Sequence, residues 1–132
     1  MEPTLKSGQT ITYSKYSADP SPQRGDVVVF NESGLYGSNK NEQMSVLRVV
    51  GVPGDHVMVA NSKVTVFNKL NPNGFNPDVV YLPNNTTTSG QFDVPLGQKQ
   101  YFLLGDNRAG AMDSRVFGPV NADQILGKVT NI

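Results

Sequence analysis

The residues of this chain that could do chemistry are serines, a few lysines and one histidine. Cysteine is absent, which excludes thiolate catalysis, disulfides and Cys-ligated zinc. His56 stands alone, which excludes a histidine-cluster metal site and makes any Ser-His-Asp arrangement depend on that one ring. It follows the turn Pro53-Gly54-Asp55 with no nucleophile motif beside it, and reads as an exposed residue at the start of a strand. A serine can also be activated by a neutral lysine. An unperturbed lysine has a pKa of about 10.4 and is charged at pH 7. Burial among apolar groups lowers that by up to about 3–5 units and makes a usable base. Such a pair also needs donors for the oxyanion and a second hydroxyl to orient the lysine.

The elements that must position these residues are short strands. The chain has 132 residues, the size of one domain, with 13 Gly and 9 Pro, and Asn is also abundant. Turn formers this dense exclude long helices. Val27-Val28-Val29-Phe30 is a continuous apolar run, as in a strand buried on both faces. Ser45 to Val52 is a longer one, ended by a type II turn at Pro53-Gly54. Runs at 56–59 and 63–67 flank Ala60-Asn61-Ser62 and read as a hairpin. Further strands are expected at 10–13, 79–82, 101–104, 116–120 and 127–132, with a helical turn over 123–126. Residues 68–92 read as an irregular, mobile excursion. The class is all-β, mostly antiparallel, in one domain over 1–132 with a hairpin and loop excursion over 56–100.

Composition narrows the function. Lys plus Arg and Asp plus Glu are 11 each, so the net charge is zero and nothing draws the chain to nucleic acid. No apolar run nears the roughly 20 residues of a membrane span, and no signal peptide is visible. The chain opens on Met-Glu-Pro-Thr, already inside folded-type sequence, and reads as truncated. No metal or cofactor site is visible. The sequons at Asn84 and Asn85 read as chance matches in a solvated loop.

Four segments, in order, resemble the boxes of bacterial type I signal peptidases, membrane-anchored serine proteases with a Ser/Lys dyad. They are Met1-Glu2-Pro3-Thr4-Leu5, Arg24 to Phe30 (RGDVVVF), Leu47 to Asp55 (LRVVGVPGD) and Gly105 to Arg115 (GDNRAGAMDSR). The tail, Phe117-Gly118 and Gln124 to Val129, also fits. The resemblance implies an all-β signal peptidase fold on the extracytoplasmic face of the bacterial membrane. It implies an anchor outside this chain, and secreted proteins as partners or substrates.

All three catalytic positions depart from the family's pattern. The nucleophile would precede Met1, the general-base lysine position holds Leu47, and the orienting serine position holds Ala111. Ser45, Ser114, Lys6 and His56 offer no replacement dyad. The resemblance assigns Arg48, Gly105, Asp106, Asn107, Asp113, Ser114 and Arg115 to the scaffold of the site, with ion pairs holding the last box against the third. It assigns Met1, Pro3, Leu5 and Val46 to the substrate groove, where an extended segment would bind. An apolar pair at 47 and 111 suits a pocket that has become ordinary core.

These readings imply a non-catalytic accessory or chaperone factor for secreted surface proteins such as pili. The alternative is a truncated, inactivated catalytic domain of a genuine signal peptidase that cleaves exported pre-proteins. A self-cleaving repressor shares the Ser/Lys logic, but neutral charge and the lack of a DNA-binding helix argue against it. Oligomeric state is left open.

Overall fold

The structure is a computed structural model that describes residues 1–16, 21–31 and 44–132. Along the chain it places β1 (Tyr13–Lys15), β2 (Val27–Asn31), β3 (Met44–Gly51), β4 (His56–Ala60), β5 (Lys63–Phe67), β6 (Phe92–Pro95) and β7 (Gln100–Leu104). A single helical turn, α1 (Ser114–Phe117), then precedes β8 (Val120–Asn121) and β9 (Ile125–Val129). The strands form a six-stranded sheet, in the order β1-β9-β2-β3-β7-β8, and a three-stranded sheet, β5-β4-β6. Every pairing within them is antiparallel, so the all-β expectation holds.

The continuous apolar runs explain the layering. Successive side chains of a strand point to opposite faces, so a run with no polar alternation must be covered on both. In β2, Val28 and Phe30 enter one cluster with Leu47, Val49 and Leu103, while Val27 and Val29 enter another with Leu5 and Val129. In β7, Tyr101 and Leu103 face the first cluster, and Phe102 and Leu104 face a third, which packs against the small sheet. Gly51 is the pivot between the sheets. A Cβ there would lie 2.5 Å from Val57 and 2.7 Å from Leu96, so only glycine lets them close.

Local signals set the turns. Asn61 and Ser62 have φ of 53° and 64°, the two positive values of a type I′ turn, so the expected hairpin forms as β4–β5. Asp55 N–H donates to Val52 O at 3.0 Å across the Pro53-Gly54 turn, with Gly54 at φ 90°.

Several expectations need correction. The strand expected at 79–82 is a 3-10 turn, Pro77–Val80, because Asn76 caps Asp78 N–H and Pro77 sits at the first helical position. The run 116–120 is split: Asp113 caps Arg115 N–H and starts α1, leaving only Val120 for β8. The helical turn lies at Ala122–Gln124, and Ile125 already belongs to β9. The first strand falls at Tyr13–Lys15 and not at 10–13. β6 was not foreseen, since Asp93 and Pro95 interrupt its apolar pattern as they do on edge strands. No helix among the described residues is long and apolar enough to cross a membrane.

Candidate functional site

Arg48 is where the four sequence boxes meet. Its strand β3 lies between β2 and β7, and its side chain is 8% exposed. Its Nε and one terminal nitrogen donate to the two carboxylate oxygens of Asp106 at 2.9 and 2.8 Å. The other terminal nitrogen donates to Gly25 O at 2.8 Å. Thr4 Oγ1 donates to the Asp106 carboxylate and lies 3.5 Å from the Arg48 guanidinium. A bidentate, charge-assisted pair of this kind fixes orientation as well as distance. Arg48 of the third box and Asp106 of the fourth are thus brought together, and Gly25 of the second box and Thr4 of the first meet them.

The loop after β7 is built from its own hydrogen bonds. Asp113 accepts from Gly105 N–H at 3.1 Å and pairs with Arg115 through both oxygens, at 2.9 and 2.8 Å. Asn107 O accepts from Gly110 and Ala111 N–H, closing a tight turn. Ser114 Oγ is buried and accepts from Leu103 N–H at 2.9 Å, which is a structural role.

Leu47, Gly105 and Ala111 meet at the centre. A Cβ built on Gly105 would fall 2.3 Å from Ala111 Cβ and 3.4 Å from Leu47 Cδ2. Leu47 is 5% exposed and belongs to the core cluster of Val28, Phe30 and Val49. Ala111 is only half-buried, so the centre is core on the Leu47 side and open to solvent on the Ala111 side. On the first-box side, Met1 Sδ accepts from Asp106 N–H at 3.3 Å.

Beside this centre, Met1, Leu5 and Val46 line a groove of about 390 Å³ together with Lys6, Gln9 and Ile11. Three of the four expected groove residues thus come together. Pro3 is exposed and does not line it. Lys6 is exposed, and Ser45 sits half-buried opposite Phe30. The His56 ring pairs with Asp93 across β4 and β6 and meets Phe67 edge-on, while its sequence neighbour Asp55 takes Arg24 at 2.6 Å. Among the described residues no cluster of three or more acidic or histidine side chains could hold a metal ion.

The sequence reading missed the outer half of the site. Arg108 is 1% exposed and donates to Asp78 through two nitrogens at 2.6 and 2.7 Å, to Thr88 at 2.8 Å and to Gly105 O at 2.8 Å. The Tyr81 ring lies 4.4 Å under the Arg48 guanidinium. Asp78, Tyr81 and Thr88 all belong to the excursion. The Asn-Pro-Asp sequence that starts its 3-10 turn was the available signal.

The signal peptidase, peptidase S26 family model matches residues 1–132. The chain belongs to the peptidase S26 signal peptidase family. This signal peptidase relative is 35% identical to signal peptidase IB of Staphylococcus aureus strain Mu50 over 148 residues, covering 98% of this chain and 71% of that protein. It is 32% identical to a probable signal peptidase I-2 of Synechocystis over 97% of this chain and 56% of that protein. Its fold matches the crystal structure of a signal peptidase I from Enterococcus faecalis with a TM-score of 0.60 and 23% identity, over 89% of this chain and 100% of that one.

Proposed function

We propose that this signal peptidase family domain holds secreted proteins at the outer face of the bacterial membrane without cleaving them. It would serve as an accessory or chaperone factor in the assembly of surface structures such as pili. The observation that carries this reading is Leu47, an aliphatic side chain buried in the core where the family pattern calls for the general base. Leucine accepts no proton, and Ala111 beside it carries no hydroxyl. In a comparable serine protease, loss of a nucleophile or its base costs on the order of 10⁶ in turnover. The Met1, Leu5 and Val46 groove and the ion-pair frame are retained, and they suit an extended peptide with a small apolar side chain. An anchor outside this chain would hold the domain at the membrane.

The test is direct. The full protein is incubated with exported pre-proteins and with pilins, and cleavage and binding are both read. Micromolar binding without turnover above a buffer blank is expected. Turnover, or no binding at that concentration, overturns the reading.

A second reading is an inactivated catalytic domain of a genuine signal peptidase. The complete Arg48–Asp106 and Asp113–Arg115 frame and the 35% identity to signal peptidase IB favour it. Sequencing codons 47 and 111 in the parent gene separates the two. Lysine and serine there assign the protease activity to the parent; leucine and alanine leave the binding role.

A further inference from the structure

One cleft of about 210 Å³ opens against Ala111, and its two walls come from different parts of the chain. Ser89, Gly90 and Phe92 form one wall, and Ala111, Arg115 and Val116 the other. The first wall belongs to the excursion and the second to the loop after β7 and to α1. What holds the walls together is a small set of contacts made by two buried arginines. Arg108 reaches from the loop to Asp78 and Thr88 of the excursion and, with its Nε, back to Gly105 O. Asp78 is 14% exposed and Thr88 1%, so this bidentate pair is shielded from solvent. Tyr81 slides under Arg48, and its hydroxyl fills the space a side chain on Gly25 would need. At the rim Arg115 lies 3.4 Å from Ser89 Oγ.

The geometry points to a latch: the Arg108–Asp78 and Arg48–Tyr81 contacts make residues 76–90 and the 105–111 loop one cooperative unit, and they set the width of the cleft between them. Each of the two arginines has one side on the site and the other on the excursion. Arg108 holds the Gly105 carbonyl at the point where Leu47 and Ala111 meet. Arg48 holds Asp106. A movement of the excursion is therefore felt at both. Breaking the pair from one side leaves a buried guanidinium without its carboxylate, so the closed state is strongly favoured while both are present. Opening is an all-or-none event of the kind that local unfolding units show. Asp78 and Tyr81 are positioning residues in this scheme, since neither faces the cleft. The inference concerns the chain's own motion and stands whatever the site binds.

The absence of cysteine makes the test clean. Val79→Cys and Met112→Cys place two spin labels on exposed positions, one on each side of the latch. Their separation is measured by pulsed electron resonance, alone and with Asp78→Asn, and amide exchange is followed in the unlabelled proteins. Asp78→Asn is expected to lengthen and broaden the distance distribution. It is also expected to speed exchange at 78–88 and 105–111 by at least about tenfold, while β2 and β3 keep their protection. Tyr81→Leu, which keeps the ion pair, is expected to loosen the same two segments less, and it carries the test if Asp78→Asn does not fold. An unchanged distance distribution overturns the latch. So does an equal loss of protection across β2, β3 and the 105–111 loop, which would mark a general loss of stability.

Discussion

Leu47 and Arg48 are successive residues of β3 and are equally shielded, yet their surroundings have nothing in common. Leu47 sits among Val28, Phe30 and Val49 and makes only apolar contacts with them. Arg48 is wrapped by Asp106, Gly25 O and Thr4. The difference teaches why the centre of such a site can change while its rim stays. A buried base can be replaced by an apolar side chain of similar volume, because charge and need for a partner vanish together. A buried ion pair cannot lose one member without stranding the other. The rim is therefore held by its own energetics, whatever happens at the centre.

The largest effect that would break this contrast is at the rim. Asp106→Ala leaves the Arg48 guanidinium buried and unpaired, and a loss of about 3–5 kcal/mol is expected in urea unfolding. A loss below about 1 kcal/mol would show that the pair does not hold the boxes together. At the centre, Leu47→Ala is expected to cost about 2–5 kcal/mol through lost burial and a residual cavity, and Leu47→Met less than about 1.5 kcal/mol. If Leu47→Met is as costly as Leu47→Ala, position 47 is not ordinary packing.

Much of this contrast was legible in the sequence. Apolar runs on both faces located β2, β3 and β7, and an arginine inside such a run had to find a carboxylate. The boxes supplied Asp106. The rest depended on contacts between segments that share no local pattern. Nothing around Asp78 or Tyr81 marks them as partners of Arg108 and Arg48, because the ion pair and the ring stack close only once the excursion folds back. The apolar residues at 79–82 misled for a local reason instead. Asn76 and Pro77 set a 3-10 turn, which leaves Val79 and Val80 exposed and buries Leu82. His56 and Asp55 are adjacent in sequence, yet one faces Asp93 and the other Arg24, because Asp55 closes the turn before β4 and His56 opens the strand.

Smaller effects sharpen the picture at its edges. Tyr16 donates to Asp26 at 2.6 Å, and burial, reinforced by that carboxylate, pushes its phenol far above the usual 10.0. The unfolded chain ionises this tyrosine near pH 10 and the folded chain does not. Its contribution is whole below that pH and is lost as the pH rises beyond it. Tyr16→Phe is expected to cost about 1 kcal/mol at pH 7 and to remove part of the alkaline loss of stability, read from urea midpoints between pH 8 and 11. His56→Ala removes an exposed pair with Asp93 and an edge contact with Phe67, and is expected to change stability by less than about 1 kcal/mol. A larger change would give the His56–Asp93 pair a weight that its exposure does not support.

The pairing of β2 with β9 sets the order in which this molecule can be made. Val29 of β2 lies opposite Gly127, near the far end of the chain, while its other edge is taken by Val46 in β3. During synthesis β2 and β3 can pair early, but the second edge of β2 stays open until the C-terminal segment arrives. Contacts so distant along the chain make folding slow, and an unpaired apolar strand edge is prone to pairing with other chains. Fragments that end before residue 125 would therefore aggregate, and β2 would gain its second partner only once β9 has been made.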